Sequence, residues 1–321
     1  MAQVVNAYLQ WPFERVEVRV IESRGDPGDH VASARGLVRA LRKVRAIRRE
    51  GLPAVLVVHL SERGSFLREG TIARYANWLG LPVIAHMHGS EFAAYEKAKP
   101  ALVGKVLRSA KRVISLSDET SEICVRHVGA KRVDLVPNAI PPSSPVPKTK
   151  TVVFGGVVSH RKGIDVLQEA WRRVAPVEGW RLIVAGPIRD GELVDRSIEG
   201  IEFVGSLDHD ALLTLLDTAS VAVLPSRDEA MPMFILEAMA RRACVISTTV
   251  GGIPAVLGDG CGMLVAPGSV VELAQALGTA LRDAEQRERV AEQGLARFDK
   301  QFSARTVYPR VESIWLSVLD A

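Results

Sequence analysis

Short apolar runs alternate with helically spaced ones along most of the chain, and this alternation sets the fold class. Residues 54–59 and 82–88 read as strands with helical patterning over 66–79 between them, and residues 113–116 and 133–137 continue the scheme. Upstream, residues 16–21 alternate apolar and polar positions as a strand does. Residues 32–50 carry Leu37, Leu41, Val44 and Ile47 at helical spacing among seven Arg and Lys residues, a basic amphipathic helix. After residue 150 the pattern restarts: strand 151–154, a Gly155-Gly156 turn, helix 163–174, strands 181–185 and 201–204, helix 209–218 and strand 221–224. Helices near 270–282, 284–298 and 306–319 close the chain. Alternating strand and helix predicts parallel, doubly wound α/β sheets. Residues 141–150 hold four prolines in a polar stretch that suits neither a helix nor a central strand. A domain boundary is expected there, between residues 1–142 and 149–304.

One stretch, Ser226-Arg-Asp-Glu-Ala-Met-Pro-Met-Phe-Ile-Leu-Glu-Ala-Met-Ala240, places two acids at one helix start. Pro232 suits the first turn, so the amides of Met231, Met233 and Phe234 can point out of the helix end, where phosphate and sugar oxygens are attracted. Eight residues advance about 80° beyond two full turns, so Glu229 and Glu237 do not share a helical face. Glu229 is therefore expected in the preceding loop. Glu237 falls among Phe234, Ile235, Leu236, Ala238 and Met239, where an ionised carboxylate needs hydroxyls or a cation. The alternative is a Glu229 that complements the helix dipole and a Glu237 on a solvated face.

Composition narrows the class. With 321 residues, 47% of them hydrophobic, the chain can fill two cores. No apolar run approaches the roughly 20 residues of a membrane span, and the first residues lack a signal-peptide pattern, so a cytoplasmic protein is expected. Cys124, Cys244 and Cys261 are too scattered for a disulfide framework or a zinc site and read as buried thiols. The net charge of +4 hides a division: residues 1–150 hold 24 Lys and Arg against 14 Asp and Glu, giving +10, and the remainder carries −6. A surface of that sign favours anionic partners such as lipid head groups.

The Glu229-x7-Glu237 spacing, followed by Gly251-Gly-Ile-Pro254 and Gly262-Met-Leu-Val-Ala-Pro267, resembles the motif of the retaining glycosyltransferases of the GT-B fold, family 4. The resemblance runs from about Val16 to Phe302. It implies two Rossmann-like domains facing across a cleft, with a terminal helix, residues 305–321, packing back on the first domain. It implies that Glu229 meets hydroxyls of a donor sugar and that Glu237 holds the ribose of its nucleotide. His88-Gly89 resembles the family's His-Gly, with His88 beside the sugar; a buried, hydrogen-bonded histidine is the other reading. Asn138 stands where the family has Pro-Asn, or simply forms a turn. In Ser159-His-Arg-Lys-Gly163 the family pattern Gly-Arg-x-x-x-x-Lys-Gly is matched by Lys162 and Gly163, while its arginine position is Val157. The diphosphate clamp has then lost a cation, or Arg161 substitutes for it, or Lys162 is a surface lysine. Gly186 and Gly205 are expected to line the base pocket through their backbones.

The family needs no divalent ion, because lysine, arginine and helix amides neutralise the leaving diphosphate, and no cofactor is implied. His86 and His88 are read as pointing to opposite faces of their strand, and no metal site is expected. The implied partners are a nucleotide diphosphate sugar and an envelope, exopolysaccharide or lipid-linked glycan acceptor, with peripheral contact to anionic membrane at its inner face and none with nucleic acid. Ser61-Glu-Arg-Gly-Ser-Phe-Leu67 and His86-Met-His-Gly-Ser-Glu-Phe92 look like polysaccharide-assembly members. A catalytically idle nucleotide-sugar-binding chain and a sugar-nucleotide epimerase are the rival readings. Members of the family begin with a strand and a Gly-Gly turn, yet no glycine precedes Gly25 here. The first strand–turn–helix unit is therefore expected to be missing, Val4–Trp11 being the end of its helix, and the chain to be a poor catalyst.

Overall fold

The computed structural model describes residues 2–23, 30–89, 91–174 and 177–319. They form two compact units, Met1–Asn138 with Val307–Ala321, and Ala139–Thr306. In chain order the first contains α1 (Ala2–Gln10), α2 (His30–Glu50), β1 (Leu56–Leu60), α3 (Gly64–Trp78), β2 (Val83–Met87), α4 (Phe92–Ala98), α5 (Pro100–Arg108), β3 (Arg112–Ser115), α6 (Asp118–Val128) and β4 (Val133–Leu135). The strands pair in the order β1-β2-β3-β4, every pair parallel. β2 is buried along its whole length, as a parallel strand covered on both faces must be.

α2 turns Ala40 and Val44 fully inward, with Leu37 and Leu41 against the same core, and leaves its arginines and Lys43 exposed. The alternation at residues 16–21 does not produce a strand; this expectation is corrected. A strand needs a partner's hydrogen bonds as well as a pleated pattern. Here the segment is held otherwise, by the Arg15 amide donating to Glu312 Oε1 at 2.7 Å and by Ile21 packed on the core. Residues Ala2–Gln10 are helical, and no strand precedes Leu56 among the described residues. α1 docks on the end of the chain through aromatic rings. Tyr8 meets Tyr308 and Trp315 edge-on at 5.0 and 5.2 Å, and Phe13 packs on the same two rings.

The second unit runs β5 (Thr149–Gly155), α7 (Ile164–Val174), β6 (Arg181–Ala185), β7 (Ile201–Gly205), α8 (His209–Thr218), β8 (Ala219–Leu224), α9 (Met233–Ala240), β9 (Cys244–Thr248), α10 (Ile253–Leu257), β10 (Met263–Val265), α11 (Val270–Arg282), α12 (Ala284–Gln301) and α13 (Ala304–Ser317), whose later turns belong to the first unit. Its six parallel strands lie in the order β10-β9-β8-β5-β6-β7. β5 and β8 are therefore central, and the order reverses around them. α9 is apolar on every side except at Glu237 and is buried throughout.

The proline-rich segment is tied to this unit by Lys148, whose Nζ donates to the carbonyls of Asp217 and Arg241 at 2.8 and 2.5 Å. These are carbonyls at the ends of α8 and α9, where a cation is favoured. Burial lowers the Lys148 amine to about 8, against the opposing pull of Asp217. All three cysteines are buried and unpaired. No helix among the described residues is long and apolar enough to cross a membrane. Trp171 on α7 is 1% exposed and its indole N–H donates to Glu199 O at 3.0 Å. Trp171→Ala is expected to cost the second unit about 3–5 kcal/mol, read as a lowered urea midpoint.

Candidate functional site

In the second unit the candidate residues gather where β5, β8 and β9 end. The loop after β8 carries Ser226 and Glu229, both buried. Glu229 Oε1 accepts from Ser226 Oγ at 2.8 Å and from Lys162 Nζ in a short ion pair. Lys162 reaches it from the single helical turn His160–Lys162 after β5. The two motifs, 67 residues apart, therefore form one part-buried cation–carboxylate pair. It needs the backbones to approach closely, and glycines allow this. Gly163 sits in the left-handed region at φ 74°, and a Cβ there would stand 2.0 Å from Pro225 O. A Cβ at Gly251 would stand 1.6 Å from the Glu229 carbonyl, and the Gly252 amide donates to Ala230 O at 2.9 Å. Gly251 and Gly252 are thus the floor on which the Glu229 loop rests, a role the sequence reading did not assign.

Arg161 does not enter the pair. Its guanidinium donates to the Asp228 carbonyl at 2.8 Å and faces the Asp228 carboxylate at 3.8 Å. Val157 is half-buried and offers no charge. Gly186 approaches Gly156 so closely that a Cβ would lie 1.8 Å from Gly156 O, and its amide donates to Gly205 O at 2.7 Å. The three glycines bring the ends of β5, β6 and β7 side by side.

Glu229 lies in the loop before α9, with Pro232 as N-cap, and Met231, Met233 and Phe234 are buried at that helix start. The Phe234 ring lies over Gly155, where a Cβ would meet it at 2.4 Å. Glu237 is 1% exposed, which rejects the solvated-face alternative. Among the described residues neither of its oxygens accepts a hydrogen bond, and the ring Nε2 of His209 on α8 lies 3.8 Å away. Burial pushes the Glu237 carboxyl up to about 7, only partly opposed by Arg241 one turn on. His209 carries no signal in the sequence, lying 28 residues before Glu237 on another helix.

In the first unit Asn138 is buried, and His88 follows the end of β2 with its amide donating to Leu60 O at 2.7 Å. The reading that His86 and His88 face opposite ways is wrong: residues two apart in a strand share a face. Their ring centroids are 4.2 Å apart, and His59 Nδ1 meets His88 Nε2 at 2.8 Å. Burial holds His59 down at about 4, and burial followed by the neighbouring imidazoles holds His88 well below its ordinary value.

Residues 149–283 match the family model for glycosyl transferases group 1, and residues 4–144 that for glycosyltransferase family 4. The chain is 27% identical to a 2-deoxystreptamine N-acetyl-D-glucosaminyltransferase of Streptomyces fradiae, over 88% of this chain and 75% of that protein. It is 26% identical to glycogen synthase of Mycobacterium tuberculosis over 83% of this chain, and spans 63% of that protein's length. Among solved structures, sucrose-phosphate synthase from Thermosynechococcus elongatus superposes with a TM-score of 0.68 at 21% identity, covering 89% of this chain and 79% of that one. Anabaena HepE in complex with UDP does so with 0.71 at 18% identity, covering 87% and 82%. Two parallel-sheet units, each half matched by a glycosyltransferase family model, make this chain a member of the GT-B glycosyltransferases.

Proposed function

We propose that the chain is a retaining hexosyltransferase that takes its sugar from a nucleotide diphosphate donor. The observation that carries this reading is Glu237: a carboxylate 1% exposed, raised to about 7, with neither oxygen hydrogen-bonded among the described residues. The two hydroxyls of a ribose would supply the missing donors, one to each oxygen. Eight residues upstream, Glu229 receives both of its bonds on Oε1, which leaves Oε2 to a sugar hydroxyl, and Lys162 beside it is the cation for the diphosphate. Arg161 at the same turn, the amide of Gly163, and the helix start at Met231, Met233 and Phe234 complete the nucleotide-sugar contacts, with Gly186 and Gly205 at the base. HepE, solved also with UDP-glucose, supports a donor of this chemical class.

Charge separates as the anomeric C–O bond to the diphosphate breaks, and Lys162 stabilises the negative charge that grows on the leaving oxygen, with no metal needed there. The acceptor oxygen bonds the same face of the anomeric carbon and passes its proton to a diphosphate oxygen, which retains configuration. The acceptor is an envelope, exopolysaccharide or lipid-linked glycan, reached at the inner face of a membrane through the basic α2. Curated relatives named as phosphatidylinositol N-acetylglucosaminyltransferase subunits support a lipid-linked acceptor. The absence of a cation at Val157 and the engagement of Arg161 with Asp228 favour one rival, a chain that binds the donor without transferring it. Nucleotide released only when acceptor lipid is added establishes transfer; bound donor with no release establishes the idle chain.

Each role has a separate readout. Glu237→Ala is expected to weaken free nucleotide and nucleotide sugar alike, by about 1.5–3 kcal/mol or roughly tenfold and more. Glu229→Ala weakens the nucleotide sugar only, and calorimetry with both ligands distinguishes them.

Ribose hydroxyls favour the ionised Glu237, so binding must expel a proton once the pH lies below about 7, its folded value. Nucleotide affinity should then fall with decreasing pH, by at most about tenfold per unit, and Glu237→Gln should abolish that slope. Without ligand the sign is opposite. The folded value exceeds the ordinary 4.5, so the ionised carboxylate costs stability increasingly as pH rises from 4.5 to about 7. Glu237→Gln should accordingly raise the melting temperature at pH 8 and leave it unchanged at pH 4.

The basic face of α2 should bind liposomes containing anionic lipid and release them as salt rises, since such attraction is screened beyond roughly 8–10 Å at physiological ionic strength. Equal sedimentation with neutral liposomes, or none with either, removes the membrane from the proposal.

A further inference from the structure

His59 on β1 and His86 on β2 are register partners in a parallel pair. His88 lies two residues beyond His86, on the same face of the sheet. The register therefore brings three imidazoles together from 27 residues or more apart in two of the three pairings: His59–His86 centroids are 5.1 Å apart, His59–His88 5.0 Å and His86–His88 4.2 Å. One nitrogen from each lies within 4.8 Å of the other two. His59 Nδ1 and His88 Nε2 satisfy one another at 2.8 Å, whereas among the described residues neither ring nitrogen of the buried His86 has a hydrogen-bond partner. An imidazole carries one donor and one acceptor when neutral, and burying both without partners is unfavourable. The sheet face therefore presents the two nitrogens of His86 beside the His59–His88 pair, with ligand-capable atoms of all three rings converging.

We propose that this sheet face of the first unit binds one divalent transition-metal ion of the zinc class through His59, His86 and His88. Three imidazoles without a carboxylate among them suit zinc, cobalt, nickel or copper rather than magnesium or calcium, which take oxygen ligands. Zinc–nitrogen bonds of about 2.0–2.1 Å place tetrahedral ligand atoms about 3.4 Å apart, so ring rotation brings the set into range. The His59–His88 contact opens and the wider separations close. Burial, and at His86 and His88 the neighbouring rings, lower the basicity of these imidazoles, the direction that favours the neutral form a metal takes. His59 and His88 are only half-buried, which gives the ion a way in and leaves its fourth position to water. The site does not depend on the transfer reading, because an ion on Nε2 of His88 leaves Nδ1 to a sugar.

Zinc and cobalt titrated into metal-stripped protein, freed of any affinity tag, test the inference. The expected result is one ion per chain by calorimetry, with the intense visible bands of four-coordinate cobalt. His59→Gln and His86→Gln should each weaken binding roughly a hundredfold or more, the upper end of what losing even an outer-shell partner costs. His127→Gln, whose ring is paired with Glu96 at 2.9 Å, should change nothing. No saturable binding, or binding that survives both substitutions in folded protein, overturns the site. If a variant does not fold, the unaltered chain decides: four-coordinate cobalt bands support the site, and the weak spectrum of six-coordinate cobalt overturns it.

Discussion

The approach of the Gly251 backbone to the carbonyl of Glu229 is the constraint on which the second unit's chemistry rests. A side chain at position 251 would stand 1.6 Å from that oxygen, and one at position 163 would stand 2.0 Å from Pro225 O. The loop carrying Glu229 is thus pressed between two glycine turns, one following β5 and one following β9. Only with the loop fixed does Lys162 meet a carboxylate, and only then does Ser226 serve it as a second donor. Parallel strands ending level with one another provide the platform, and glycines set how near its loops come.

The two acids at this helix start are handled in opposite ways. Glu229 has its cation and hydroxyl supplied by the chain itself. Glu237 lies one turn into a helix buried on every side, with the His209 imidazole 3.8 Å away. A group of that kind is stable enough to be kept and strained enough to welcome hydroxyls, which is how unliganded binding sites commonly differ from cores.

Much of this was legible in the residues. The central strands of both sheets and most helices follow from apolar runs and helical periodicity, because burial on both faces leaves no other pattern. Helix His209–Thr218 and strand Arg181–Ala185 match to the residue. Residues 16–21 did not, since alternation describes a strand's faces and says nothing of whether an edge is there to receive it. The surroundings of Glu237 were readable from its own helix, but His209 was not, because it arrives from α8 through tertiary packing. The histidines were misread for a plain reason: the strand period was applied with the wrong parity. Applied correctly, it places His86 and His88 on one face, although the register with His59 is beyond any one-dimensional pattern.

The aromatic contact between α1 and α13 has a consequence for how the molecule is made. Tyr8 and Phe13 rest on Tyr308 and Trp315, so the first unit is written in two pieces with the whole of the second between them. Synthesis delivers the second unit's residues in one uninterrupted run, free to collapse as they emerge. The first unit can cover Tyr8 and Phe13 only once Tyr308 and Trp315, which follow the whole of the second unit, have been made, so its core is the later of the two to close.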